Sequence, residues 1–369
     1  MHNSIVIGVE PTSLLNFRME LLKSMTLLNY KVTTISNKPS NSQVSKLKTL
    51  GVTSEVVKFS RGKFSITADL KTFFSLIRRF KVIKPDLILA YTIKPVIWGG
   101  MASRLFKTDF YALITGLGFS FHGDSFKRKL LTRLVVFLYR LALTNSKAVI
   151  FQNKESRDIF VKKGIISFDK TYVVNGSGVN IENFPIVNFP NRNTINFLCI
   201  SRLLSEKGLR EYAAAAKIVK QIFPDVEFNL VGSEELSPDA ISLNEVNSWL
   251  NYINYMGFTS DVRACIADSH VYVLPSYHEG LPRSVLEAMS MGRPVITTEA
   301  IGCKDTVVDG FNGFLVPVYS VDKLVEKMIW FIENTNKIKP MGMNSRKLVE
   351  DKFDVYKINK EMLKIMGIK

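Results

Sequence analysis

The residues best equipped for chemistry lie in VLPSYHEGLPRSVLEAMSMGRPVI, residues 273–296, where seven residues separate Glu279 from Glu287. An apolar run ends at Pro275–Ser276, a Gly-bearing turn follows, and a helix is expected from Ser284. This places Glu279 at the carboxyl end of a strand and Glu287 close by, on the first turn or so of the helix. Backbone N–H groups at Gly280, Leu281 and the helix start can bind hydroxyls or phosphate oxygens. Carboxylates accept hydrogen bonds from vicinal hydroxyls, so the pair can grip a ribose and a second sugar together. A second element, SRLLSEKG at 201–208, sets Arg202 and Lys207 on either side of a strand-to-helix turn closed by Gly208. Arginine offers phosphate a planar fork and lysine a point charge. Together they can neutralise a departing diphosphate without a metal, and no Asp-x-Asp occurs in the sequence. Each element alone is weak, because paired glutamates on a helix are usually just a solvated face.

Positioning these residues requires an alternating α/β framework. Strand-like runs fall at Ser4–Val9, Lys31–Ser36, Leu87–Ala90, Phe110–Ile114, Ala148–Gln152 and Thr171–Val174. Helical patterns lie between them at Asn16–Leu28, Lys71–Lys81 and Lys127–Leu143. The Pro- and Asn-rich stretch Phe184–Asn193 reads as a linker. A second series follows: Asn196–Ile200, helix Leu209–Phe223, Glu227–Val231, His270–Leu274, helix Ser284–Met291, Pro294–Thr297 and helix Val321–Thr335. The fold class expected is α/β, two doubly wound Rossmann-like domains facing across a cleft. The boundaries expected are 1–188 for a basic first domain, 189–350 for a second, and 351–369 for a closing helix.

Charge is divided unevenly. Residues 1–188 hold 28 Lys and Arg against 11 Asp and Glu, whereas residues 189–369 hold 21 against 22. The net charge of +16 therefore sits wholly in the first half. Such a field attracts phosphates, including anionic headgroups, although a lysine-rich solvated surface gives the same count. Three scattered cysteines without a CxxC pair argue against a zinc or disulfide scaffold. Neither a signal peptide nor a membrane span is legible, which predicts a soluble or peripheral protein. In the segment 127–147, Lys129, Arg133, Arg140 and Lys147 fall near one helical face with Leu, Val and Phe opposite. A sheet-covering helix with a basic outer face is the favoured reading, and an interfacial membrane helix the other.

Order and spacing together are specific. The chain resembles the GT-B retaining glycosyltransferases of group 1, which serve bacterial O-antigen, capsule and lipid-linked oligosaccharide synthesis. The resemblance rests on Ser201-Arg202-Leu203 with Lys207–Gly208, on Pro275–Pro282, on Glu287–Val295 and on GCKDTVVDGFNGFLVP at 302–317. It implies that Arg202 and Lys207 hold a diphosphate, that Glu287 binds the nucleotide ribose and that Glu279 faces the donor sugar. The Gly280–Leu281 amides would orient that sugar, and Gly257–Phe258 would lie near the base. No cofactor is implied beyond the nucleotide-sugar substrate.

The first half departs from the family pattern. Many members have a Gly-Gly pair in the first strand-to-helix loop, whereas Gly8–Arg18 offers only Gly8. Arg18 would then supply part of the missing phosphate contact, or be a surface arginine. Thr115 stands where members often have His, and His122, six residues beyond Gly116, is placed to reach acceptor or sugar. YTIKPVIWGGMASRLF (91–106) and ITGLGFSF (114–121) are similar to a subgroup adding an amino sugar, often N-acetylgalactosamine, to undecaprenyl-diphosphate sugars. Lys94, Trp98, Gly116 and Gly118 would border its acceptor site.

The expectation is transfer of a hexose or N-acetylhexosamine from a UDP-sugar to a polyprenyl-diphosphate-linked saccharide. The enzyme would be cytoplasmic, held at the inner face of an anionic membrane surface, with no nucleic acid as partner. Competing readings are a sugar-nucleotide epimerase or hydrolase on the same fold, and a non-catalytic membrane- or nucleic-acid-binding protein. The first needs further acid–base residues, and the second leaves the paired acids and cations of the neutral half without a role.

Overall fold

The computed structural model describes residues 2–60, 65–117, 126–192, 194–235, 237 and 239–369. The chain divides into two units, Met1–Ser177 with Tyr356–Lys369, and Gly178–Val355.

In the first unit the strands are β1 (Asn3–Ile7), β2 (Lys31–Ser36), β3 (Thr53–Val56), β4 (Leu87–Tyr91), β5 (Asp109–Ile114), β6 (Ala148–Phe151) and β7 (Thr171–Val173). They form a parallel sheet in the order β3-β2-β1-β4-β5-β6-β7. Its central strands are short apolar runs buried on both faces, the usual signature of a covered parallel sheet. Alternation along β1 sends Ile5 and Ile7 to one core and Val6 to the other. The helices are α1 (Pro11–Leu27), α2 (Asn41–Thr49), α3 (Ile66–Ile83), α4 (Ile93–Ser103), α5 (Phe126–Leu143) and α6 (Lys154–Lys162). Helices α3 to α6 cover the Ile5 face, and α1 and α2 the other. Pro11 opens α1, five residues before the periodicity suggests, because its fixed φ suits a first helical position.

The second unit contains β8 (Asn196–Ile200), β9 (Glu227–Val231), β10 (Asn254–Tyr255), β11 (Val271–Leu274), β12 (Val295–Thr298) and β13 (Gly313–Val316). Their parallel order is β10-β9-β8-β11-β12-β13. Its helices are α7 (Leu209–Ile222), α8 (Leu243–Asn247), α9 (Arg263–Ala267), α10 (Arg283–Ser290), α11 (Val321–Glu333) and α12 (Ile338–Leu348). The last helix, α13 (Val355–Ile365), belongs to the first unit from Tyr356 onward. There Ile358, Met362 and Met366 join Leu14 and Leu21 in the core on the α1 side of the sheet.

Three expectations need correction. The division between units falls at Gly178, not at 188. The stretch beginning at Phe184 is no free linker, because Phe184, Val187 and Phe189 pack on the second core. The fully buried Arg293 guanidinium donates to the carbonyls of Val187 and Asn188, at 3.1 and 3.2 Å. It also donates to those of Ile266, Ala267 and Met291, and lies over the Phe189 ring. Burial lowers its pKa to about 10, which still leaves it cationic at neutral pH. Arg346 donates to Phe184 O and Ser290 O, fixing the start of the same stretch. The third correction concerns α5. Its outward side carries the exposed cations Lys129, Arg133 and Arg140 along one flank, but beside them runs a stripe of exposed Leu130, Leu134, Phe137 and Leu141.

Candidate active site

In a doubly wound sheet the strand order reverses at one point, and ligands bind beyond the carboxyl ends of the strands there. In the second sheet the reversal lies between β8 and β11. The loop leaving β8 carries Arg202 and Lys207, and the loop leaving β11 carries Glu279.

Glycines bring the two loops into contact. Gly208 has φ +68°, a conformation that suits Gly, and a Cβ there would overlap the carbonyl oxygen of Pro275. The bare Cα lets the β8 loop lie against the β11 exit. Glu206 O then accepts hydrogen bonds from Tyr277 N (2.8 Å) and Ser276 Oγ (3.0 Å). Gly302, at φ +78°, presses on the other side of the β11 loop, where a Cβ would collide with the carbonyls of Glu279 and Gly280. Glu279 N donates to Ile301 O at 3.0 Å. The loop holding Glu279, Gly280 and Leu281 is thus fixed by backbone contacts on both sides.

The result is a close ion pair: Lys207 Nζ donates to Glu279 Oε1 at 2.7 Å, with side chains 9% and 18% exposed. Glu206 Oε1 lies 3.6 Å from the same ammonium. Burial alone would lower the Lys207 pKa, but the charges of Glu279 and Glu206 outweigh it and the net shift is upward. Lys207 is therefore a fixed cation at any working pH. Arg202 leaves the same strand end but is 56% exposed, 3.8 Å from Glu235 Oε1. Its charge acts on Lys207 without contact, so it contributes field and reach, not a clasp.

Glu287 is the fifth residue of α10, one place further along than expected, because the helix starts after Pro282, at Arg283. Its carboxylate, 14% exposed, accepts from Arg283 Nε at 2.8 Å. Burial raises its pKa, and Arg283 offsets that in part. Sequence reading missed Arg283 and Glu206; the signals were the i,i+4 spacing to Glu287 and the position adjoining Lys207. Gly257 follows β10 with φ +70°, its carbonyl accepting from Gly232 N at 2.9 Å, and Phe258 beside it is largely exposed. The loops leaving β8, β9, β10 and β11 thus carry Arg202, Lys207, Glu206, Glu235, Glu279 and the exposed Phe258 ring, with Arg283 and Glu287 on the helix that follows β11.

The family model for group 1 glycosyl transferases matches residues 180–348, and a glycosyl transferase 4-like model matches 14–153. Both halves of the chain thus match glycosyl transferase family models, the second half that of group 1. Among curated relatives, it is 28% identical over 337 residues to a Campylobacter jejuni enzyme, covering 87% of each chain. That protein is N,N'-diacetylbacillosaminyl-diphospho-undecaprenol alpha-1,3-N-acetylgalactosaminyltransferase. It is also 28% identical over 306 residues to an Escherichia coli UDP-Gal:alpha-D-GlcNAc-diphosphoundecaprenol alpha-1,3-galactosyltransferase, covering 79% of this chain and 78% of that one. The fold is shared with Anabaena Alr3699/HepE solved with UDP-glucose, at TM-score 0.81, 19% identity and full coverage of both chains. The two α/β units thus have the GT-B fold.

The glycosyltransferase's first unit departs from expectation at its own reversal point, between β1 and β4. Gly8 does not leave room for a phosphate, because the Tyr91 phenol occupies the space where its Cβ would stand. Tyr91 lies within hydrogen-bond distance of Ser13 Oγ at 2.7 Å, and burial pushes its pKa up to about 12. Arg18 is neither a surface arginine nor a reaching one: it is 2% exposed, its guanidinium 5.2 Å from the Tyr91 ring centroid. The phosphate role given to Gly8 and Arg18 is therefore withdrawn. Lys94 is likewise interior, 3.0 Å from Asp69 Oδ1. His122 and Gly118 lie outside the described residues.

Proposed function

We propose that this glycosyltransferase is retaining and metal-independent, and moves a hexose or N-acetylhexosamine from a UDP-sugar to a polyprenyl-diphosphate-linked saccharide. It would do so at the inner face of a cytoplasmic membrane, in bacterial surface polysaccharide synthesis. The names of the two curated relatives support the donor and acceptor classes. The single observation that carries the chemistry is the Lys207–Glu279 pair at the sheet's reversal point, with Arg202 leaving the same strand.

In this reading, Lys207 and Arg202 stabilise the negative charge that grows on the departing diphosphate. Because Lys207 is held charged and in place before substrate arrives, little reorganisation accompanies the reaction. Glu279, adjoining Lys207, accepts hydrogen bonds from donor-sugar hydroxyls while the Gly280 and Leu281 amides orient the ring. Glu287, held by Arg283, accepts from the ribose, and Phe258 lies beside the base. The leaving diphosphate takes the acceptor's proton on the face it vacates, so the protein supplies charge and position. His122 is the candidate group for the acceptor side.

The test pairs UDP- and GDP-sugars with short-chain polyprenyl-diphosphate sugars, read by mass spectrometry and by NMR of the product anomer. An α-linked product from a UDP donor, made equally well with EDTA, is expected. A β-linked product, or free sugar without transfer, would reject the reading. Glu287→Ala should weaken UDP binding by calorimetry, and an unchanged affinity would remove Glu287 from the site.

A further inference from the structure

The outer surface of the first unit has a composition that a solvated helix layer does not. Helix α5 is buried against the sheet through Val135, Tyr139 and Leu143. At 3.6 residues per turn, Leu130, Leu134, Phe137 and Leu141 fall on one stripe, roughly opposite that buried face. The four are 37–59% exposed. A helix covering a sheet ordinarily turns polar residues outward, so a second apolar stripe needs a partner. Helix α3 covers the same sheet face, with α4 packed against both helices, and shows the same departure. Its Ile66, Leu70 and Phe74 are 45–81% exposed, as is Leu105 just after α4.

The charges beside these stripes are of one sign. Lys129 and Arg133 flank the α5 stripe, and Lys71 and Arg78 are exposed on α3. Neither helix has an exposed carboxylate: α5 contains no acidic residue, and the one acid of α3, Asp69, is buried with Lys94. A second copy of the chain would bring like charges together. An anionic bilayer supplies apolar depth for the stripes and phosphates for the long cationic side chains that edge them. No helix among the described residues is long and apolar enough to cross a membrane, so the contact would be interfacial.

We propose that the outer faces of α5 and α3 form the surface by which this protein lies on an anionic bilayer, with α5 along the interface. The proposal deepens the membrane-side acceptor reading above, and its test does not depend on turnover.

Full-length protein is sedimented with phosphatidylcholine vesicles, with or without phosphatidylglycerol, at low and high salt. Binding is expected to require phosphatidylglycerol and to weaken with salt. Phe137→Glu and Leu134→Glu should each reduce it at least tenfold, and Arg133→Glu about fivefold or more, near the value of one cation at such a surface. All three positions are exposed, so the melting temperature should stay within a few degrees. Transfer to a short-chain soluble acceptor should also be unchanged, which separates loss of docking from loss of catalysis. Variants that bind vesicles as tightly as wild type would overturn the proposal. So would a wild-type dimer in solution that Phe137→Glu dissociates, since a second copy would then cover the stripe. If no transfer is found but the vesicle series behaves as stated, the surface stands and the proposed donor and acceptor fall.

Discussion

The two sheets reverse their strand order in the same way, yet the two reversal points are built for opposite ends. Between β8 and β11 the loops meet through backbone, over Gly208, and leave Lys207 and Glu279 at the surface of the contact. Between β1 and β4 the gap over Gly8 is filled by a side chain of the protein itself, with Tyr91 wedged beside Arg18 and held by Ser13. Just after it, Thr92 sits at φ +68°, a costly conformation for a β-branched residue. The same topology therefore carries a charged edge in one unit and an internal plug in the other. A strand reversal indicates where a site can be; the residues leaving the strands decide whether it is open.

The sharpest way to break this comparison is at Lys207. Lys207→Ala should cut kcat by roughly 10²–10³, the usual effect of removing a group that stabilises transition-state charge. UDP affinity should fall less, and a variant with kcat near wild type would dissolve the distinction between the two reversal points. Folding should also suffer, because Glu279 is left part-buried without its partner.

Substituting the matching glycines sharpens the contrast. Gly208→Ala places a Cβ against the Pro275 carbonyl in a left-handed conformation, and backbone cannot step aside as a side chain can. A loss of more than about 2 kcal/mol is expected in chemical denaturation, together with loss of turnover as Lys207 moves from Glu279. Gly8→Ala meets only the end of the Tyr91 side chain. Overpacking of this kind costs about 1–3 kcal/mol, and UDP binding in the second unit should be untouched. Equal effects of both substitutions on UDP binding would mean that the first reversal point also serves the nucleotide.

The legible parts of the molecule were those written in short stretches. The β8 and β11 loops lie within a few residues of each strand end, so order and spacing sufficed to put Arg202, Lys207 and Glu279 on those loops and Glu287 on the helix that follows. What was hidden depends on remote partners. Phe184–Asn193 has the composition of a linker, and remote partners, Arg293 and Arg346 among them, make it part of the second core. Helix α4 holds Pro95, Gly99 and Gly100, which oppose helix on propensity, and forms because its residues are buried between α3 and α5. Strand β3 is a half-exposed edge strand reading TSEV, with no apolar alternation to betray it. Arg18, on α1, reads as a phosphate contact or a surface arginine until Tyr91, at the end of β4, is seen against it. The outer stripe of α5 was counted among core residues, since sequence gives periodicity but not which of two apolar faces lacks a neighbour.

The smallest effect expected is at the plug itself. Tyr91→Phe keeps the ring over Gly8 and beside Arg18 but removes the hydroxyl shared with Ser13. At pH 8 this should cost about 1 kcal/mol, the net value of one hydrogen bond, with no change in UDP affinity. The difference should then depend on pH in one direction. Burial raises the folded-state pKa of Tyr91 to about 12, against about 10 in the unfolded chain. Its contribution is complete below about pH 10 and declines as pH rises, because the unfolded tyrosine releases its proton first. At about 1.4 kcal/mol per unit, the advantage of wild type over Tyr91→Phe should vanish near pH 11. Paired denaturation curves from pH 8 to 11 check this, since the other titrating groups are common to both proteins. A gap that stays constant across that range would mean the phenol is open to solvent, and that the first reversal point is as accessible as the second.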